Sequence, residues 1–447
     1  MTTFWCEHAW VDGAVAPGVV VGAGDGRITA VSRSDSPPPG AHVLRGMVFP
    51  GFANVHSHAF HRALRGRTHA GGGTFWTWRR GMYQLASRLD PESYLKLATA
   101  VYAEMAVTGV TAVGEFHYLH HPPGGGRYAS PNAMGDALRE AARAAGIRLT
   151  LLDTLYLTGG IDTAASRSLR SDHQTLSLEQ QQFSDGSVDA WADRALPGHD
   201  DATTRAGAAI HSVRAVPRDA IADLASIVEE RALHVHVSEQ PAENEACLAA
   251  YGLTPVRLLA ESGALGPNTT AVHATHLTGA DIETLGSSHT AVCFCPTTEA
   301  DLADGIGPAR ELVDAGAPLS LGSDQHAIVD PLAEVRALEH GERLRTGQRG
   351  RFTPVELITA LTSAGNAALG WPDAGTIRAG APADLTAVRL DSIRTAGSRP
   401  DQVQYAATAS DVHTVVSGGV VIAENGQHAR LGDVGRLLTD AIEELWT

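Results

Sequence analysis

The sequence predicts an α/β fold: a parallel (β/α)8, TIM-like barrel carrying a small β-sandwich domain formed by the N- and C-terminal segments. Three observations predict it. Eight short apolar runs alternate with helical stretches through the middle of the chain. Polar, chemically capable side chains stand at the downstream ends of those runs. Alternating apolar and polar residues punctuated by glycine, the texture of antiparallel strands, are confined to the two ends. A doubly wound open sheet is the competing architecture for the middle part.

Residues 1–47, with "GVVVGAGDGRITAVSR", read as hairpin strands and as the first part of the small domain. Residues 48–376 read as the barrel. Its first run is "MVFPGFANVHSH"; then come "GVTAVGEF", "IRLTLLDTLY", "GAAIHSVRAV", "LHVHVSE", "TTAVHATH", "TAVCFCPTT" and "APLSLGSDQH". Helical stretches at 217–231, 304–316 and 331–346 fall in the gaps. The polar segment 159–200, with "SLEQQQFSDG", reads as a long loop holding one helix. Residues 377–447 return to strands in "ADLTAVRL" and "DVHTVVSGGVVIAENGQ", completing the small domain.

At 447 residues the chain can bury both a barrel and a smaller domain. Its formal charge of −16 opposes binding to nucleic acid or an anionic membrane surface. No run reaches the roughly 18 apolar residues of a membrane span, and "MTTFWCEHAW" lacks the basic start and apolar core of a signal peptide. Four scattered cysteines do not make a disulfide framework; Cys293 and Cys295 alternate in "AVCFCP" as buried thiols. A cytoplasmic protein is expected. Lys96 is the sole lysine beside 33 arginines, and it lies in a helical pattern away from the histidine clusters. Lysine Schiff-base chemistry is therefore not expected.

The strand ends carry the chemistry. His56 and His58 close the first run; Glu115 and His117 the second; His211 and Arg214 the fourth. His234, His236 and Glu239 close the fifth, His273 and His276 the sixth, Asp324 and His326 the eighth. In a parallel barrel these ends share one rim. Residues i and i+2 of a strand point the same way, so His56 and His58 can reach one ion, with His236 and Asp324 approaching from the far wall. Three neutral imidazoles and a carboxylate suit a divalent metal, zinc first, with a position left for water. Such an ion makes hydroxide accessible near neutral pH, for attack on an electrophilic carbon. Glu239 is the candidate proton shuttle to a departing nitrogen. His273, favoured over His276, would polarise the developing oxyanion or steer the nucleophile, and Asp324 can accept a proton.

The stretches "PGFANVHSH", "HVHVSE", "VHATH", "GSDQH" and "GAPADLTAV" together resemble the amidohydrolase superfamily over nearly the whole chain. Many members hold two metals through a carboxylated lysine. No barrel strand here has a lysine, so the resemblance implies one divalent ion per subunit. Three further stretches, "GTFWTWRRGMY", "VGEFHYLHH" and "CPTTEADLADGI", are similar to the formimidoylglutamate deiminase family. That resemblance implies hydrolysis of N-formimino-L-glutamate to N-formyl-L-glutamate and ammonia in histidine degradation, and a homodimer. It implies Arg79, Tyr118, His211 and Arg214 as binders of the small dicarboxylate substrate, arginine forks being natural carboxylate readers.

Two departures from the family pattern stand out: His61 occupies a position where the family commonly has glutamine, and Gln325 follows Asp324 where it has serine. His61 is expected on the substrate side. Phe75, Trp76, Trp78 and Tyr83 read as packing for a lid over 66–85, and Glu115 and His117 as hydrogen-bonded structural groups. The alternative activity is deamination of another amidine, formimino-amino acid or aminated heterocycle. A non-catalytic metal binder has no use for a proton shuttle, and an iron oxygenase leaves more coordination positions open.

Overall fold

The computed structural model describes residues 1–69, 75–162, 173–197, 200–228 and 230–447. Four strands open the chain: β1 (Thr2–Val11), β2 (Ala14–Gly24), β3 (Arg27–Arg33) and β4 (His42–Pro50). The barrel begins with β5 (Phe52–Ser57), β6 (Val110–His117) and β7 (Arg148–Leu155). A short ribbon, β8 (Gly160–Ile161) with β9 (His173–Gln174), precedes β10 (Thr204–Ile210) and β11 (Leu233–Val237). The barrel then finishes with β12 (Thr269–His273), β13 (Ala291–Phe294) and β14 (Leu319–Leu321). Four strands end the β structure: β15 (Leu385–Val388), β16 (Val412–Ser417), β17 (Val420–Glu424) and β18 (Gln427–His428).

Eight parallel strands run in the order β14-β13-β12-β11-β10-β7-β6-β5. The ring closes through a parallel bridge between Ser57 and Asp324. There the His56 carbonyl accepts from the Ser323 and Asp324 amides at 3.0 and 2.9 Å, and His58 N–H donates to the Asp324 carbonyl at 3.1 Å. Gly322 is required at this seam, because a Cβ there would run into the backbone of His56. β5, β6 and β7 are buried along their whole length, the reason they read as apolar runs rather than alternating ones.

The helix Pro91–Val107 shows how local sequence sets these boundaries. Asp90 and Ser93 form a reciprocal capping box, with proline at the first turn. On its outer side lies the final helix, Val434–Trp446, which buries Leu438, Ala441 and Leu445. The sequence predicts only strands in this region. The helix forms because those apolar residues recur at helical spacing.

The two chain ends build one eight-stranded sheet, β18-β17-β16-β15-β4-β1-β2-β3. Phe4, Cys6, Val21, Ile28 and Leu385 lie in its core. The run 47–58, read as one barrel strand, is divided. Residues up to Pro50 complete β4 in the outer sheet, and the barrel begins only at Phe52. Gly51 makes the step: its amide donates to the Asp384 carbonyl at 3.0 Å, and Thr111 and Asp384 leave no room for a Cβ. The segment 159–200 contains the ribbon, a 3-10 turn at Gln181–Phe183 and the helix Val188–Ala195. Residues 163–172 and 198–199 of it lie outside the described residues. So do 70–74 and the Phe75 and Trp76 side chains of the expected lid. Among the described residues no helix is long and apolar enough to cross a membrane.

Candidate metal and catalytic centre

β5 ends by delivering His56 inward, and His58 follows in extended backbone at the head of the short turn Ala59–Leu64. Their imidazoles meet those of β11 and the residues just past β14. His56 Nε2 lies 3.0 Å from His236 Nε2, and His56 and His58 Nε2 each lie 3.4 Å from Asp324 Oδ1. The four residues expected as ligands are thus brought together, all buried.

Hydrogen bonds behind two of these rings fix which nitrogen faces the centre. His58 Nδ1 is 2.9 Å from the Phe116 carbonyl, and His236 Nδ1 is 2.9 Å from the His211 carbonyl. A carbonyl only accepts, so each Nδ1 carries the proton and each Nε2 presents a lone pair inward. Burial, with the neighbouring histidines adding to it, holds His236 far below the ordinary imidazole pKa and His58 at about 3. His56 is held far down by burial and by His273 and His234. Neutral imidazole is the metal-binding form. Converging lone pairs and a carboxylate fit a divalent cation.

His273 differs. Burial opposes its charge, but Glu239, Glu299 and Asp324 outweigh burial and hold its pKa well above the ordinary value. Its Nε2 lies 3.9 Å from both Glu239 Oε1 and Asp324 Oδ2. Its donor atom also falls within 4.8 Å of those of His56 and His236, so the ring borders the ligand set itself. His273 and Asp324 both have left-handed backbone, φ 68° and 44°, strain of the kind that collects where chemistry fixes a side chain. His276 instead faces away, its Nε2 on the Asp304 carbonyl at 2.7 Å.

A cavity of about 380 Å³ opens over this centre. His61, Arg79, Tyr118, His211 and Arg214, all expected on the substrate side, line it together with Glu239. His61 Nε2 and the Tyr118 hydroxyl are 2.9 Å apart, and Trp78 meets the His61 ring edge-on at 5.1 Å. Arg79, on the helix Phe75–Ala86, donates from Nε to the Tyr83 hydroxyl at 2.8 Å. Arg214 donates from Nε to Glu243 at 2.8 Å and places a second nitrogen 3.7 Å from Glu239.

Glu115 supports the centre from behind, accepting from Ser57 Oγ at 2.7 Å and Ala59 N–H at 2.6 Å. His117 belongs to another buried group with His120 and Asp153. There Arg194 and Trp191 already occupy the Asp153 carboxylate. Sequence reasoning missed Glu299 and Glu243, the partners of His273 and Arg214. Glu299 stands in the stretch "CPTTEADLADGI", and only a three-dimensional contact gives it a role. Glu243 had no signal beyond being one acid among many.

The comparisons with known proteins agree with this architecture. The model of the Amidohydrolase family matches residues 47–422. The formimidoylglutamate deiminase of Pseudomonas aeruginosa is 34% identical over 436 residues, covering 94% of each chain. The 8-oxoguanine deaminase of the same organism is 32% identical, covering 84% of this chain and 82% of its own. The crystal structure of an amidohydrolase from Brucella melitensis superposes over the whole of both chains with a TM-score of 0.89 at 28% identity. The chain belongs to the amidohydrolase family.

Proposed function

We propose that this protein, a hydrolase acting on C–N bonds, takes N-formimino-L-glutamate as its substrate: water adds to the formimino carbon, its bond to the terminal nitrogen breaks, and N-formyl-L-glutamate and ammonia leave. His56, His58, His236 and Asp324 would hold one divalent ion, with zinc favoured by the donor set. When bound, the ion supplies Lewis acidity, lowering the pKa of water from about 15.7 to about 7.

The chain's own residues do the rest. The Glu239 carboxylate, flanked by His273 and Arg214, receives the proton released as water is activated and hands it to the departing nitrogen. His273, its Nε2 near both Glu239 and Asp324, polarises the developing oxyanion or steers the attacking water. Asp324 Oδ2, 3.9 Å from His273 Nε2, is placed to take a second proton. Arg79, the His61–Tyr118 pair and His211 receive the two carboxylates; Arg214 is held by Glu243 beside Glu239 and shares its charge between them.

The observation that carries this reading is the cavity itself. Its lining joins the Glu239 carboxylate and a cluster of neutral histidines with Arg79, His61 and Tyr118, groups suited to carboxylates. A second reading, deamination of an aminated heterocycle, is favoured by the likeness to 8-oxoguanine deaminase. Ammonia release by the zinc-loaded protein from N-formimino-L-glutamate, N-formimino-L-aspartate, adenine and 8-oxoguanine separates the readings. Turnover of the glutamate derivative above all others is expected. Turnover of a purine alone would replace it with the second reading, and turnover of the aspartate derivative alone would mean a shorter substrate.

A further inference from the structure

We propose that Glu299 is a positioning residue that fixes the ring of His273. This rests on the reading of His273 as part of the proton-moving group. Glu299 lies in the helix Pro296–Asp301 directly after β13, and its carboxylate is buried. Its Oε1 faces His273 Nδ1 at 3.4 Å. The same oxygen accepts the Cys295 amide at 2.8 Å, so the carboxylate is anchored by its own backbone and does not need His273 to hold it.

The geometry explains why a buried acid belongs there. A histidine ring can turn over about its last side-chain bond, exchanging nitrogens for carbons at nearly the same shape. In only one of the two states does a nitrogen face Glu299. In that state Nε2 faces Glu239 and Asp324, 3.9 Å from each; in the other, carbon would face them. Glu299 also requires a proton on Nδ1, because a carboxylate only accepts. The turn is tied to the end of the neighbouring strand as well: the Thr298 hydroxyl donates at 3.1 Å to the Ser323 carbonyl, just past β14 and one residue before Asp324. One short helix therefore aligns His273 and the backbone that presents Asp324.

The test uses zinc-loaded wild type, Glu299→Ala and Glu299→Gln, with metal content and thermal unfolding as checks on folding. Glutamine keeps an acceptor oxygen for both the Cys295 amide and His273 Nδ1–H; alanine keeps none. With N-formimino-L-glutamate, Glu299→Ala is expected to lower kcat at least about 30-fold, with KM changed less than about threefold, and Glu299→Gln to recover most of that loss. Nitrogen-15 labelling of the histidines supplies a readout independent of substrate. The Nδ1–H signal of His273, assigned by its disappearance in His273→Asn, is expected in wild type and Glu299→Gln and not in Glu299→Ala. Equal loss of kcat in both variants with the Nδ1–H signal retained would overturn the proposal, as would an unchanged kcat in Glu299→Ala. If wild type releases no ammonia from this substrate, the substrate assignment fails, and the Nδ1–H signal alone decides whether Glu299 positions the ring.

Discussion

Glu239 and Arg214 stand 3.7 Å apart on the cavity wall, while the other oxygen of Glu239 lies 3.9 Å from His273. A carboxylate between a guanidinium and an imidazole is held in place on the cavity lining. Glu239→Gln preserves shape and removes the ability to move a proton. It is expected to lower kcat by about 10³-fold, within the range for general acid–base groups, while leaving metal content unchanged. Ammonia release together with elemental analysis of the purified variant checks both parts.

Removal of the metal tests the ligand set. Dialysis against a chelator is expected to abolish activity and lower Tm, because three neutral imidazoles and a carboxylate then face one another with no cation between them. Readdition of zinc should restore both. His236→Ala is expected to lose bound metal and to stay inactive on readdition.

The carboxylate-binding wall gives a different kinetic signature. Arg79→Met is expected to raise KM for N-formimino-L-glutamate at least about tenfold with a smaller change in kcat, since a guanidinium reads a carboxylate in the ground state as well as the transition state. His61→Gln exchanges the partner of the Tyr118 hydroxyl for an amide. It is expected to alter the ratio of kcat/KM between the glutamate and aspartate derivatives without lowering metal content. Parallel kinetics on the two substrates provide the measurement.

Stability should depend on pH through Glu334, away from the cavity. Burial pushes its carboxyl up from 4.5 to about 8, although the Thr297 amide and hydroxyl donate to it. Between those values the folded state holds a proton that the unfolded state has released. Stability from this group therefore falls as pH rises from 4.5 to about 8 and levels off above. Glu334→Gln does not titrate; its oxygen accepts from the Thr297 amide and its NH2 donates to the Thr297 hydroxyl oxygen. Its Tm is expected to gain on wild type by at least about 2 °C between pH 5 and pH 8, as followed by thermal unfolding.

The clustering of the proposed ligands was legible because two of them are spaced for one strand end and the others fall at strand ends, where a parallel barrel gathers them. His56, His58, His236 and Asp324 converge on that logic. Barrel strands were legible as buried apolar runs, but their ends were not: Glu239 and Asp324 lie just past β11 and β14 in irregular backbone. The run 47–58 looked like one strand because it is apolar throughout, and only packing against Thr111 and Asp384 divides it at Gly51. The contacts of Glu299 with His273 and of Glu243 with Arg214 join segments 26 and 29 residues apart and leave no periodic trace. Sequence offers Arg214 as a carboxylate reader and the fold puts it in the cavity lining, but the bond of its Nε to Glu243 is visible only in three dimensions.

With the proposed ligands, the seam between β14 and β5 would make ring closure and ion binding a single event. The last strand meets the first through the backbones of His56, His58 and Asp324, the same residues whose side chains face one another at the proposed metal centre. A cation pulling those side chains together would also hold the two edges of the sheet together. The amides of Ser323 and Asp324 therefore report on occupancy: in hydrogen–deuterium exchange they should be protected in loaded protein and exchange early once the ion is stripped. Metal starvation would then act on this protein as a loss of form before a loss of chemistry, because the proposed ion would serve as the clasp of the barrel.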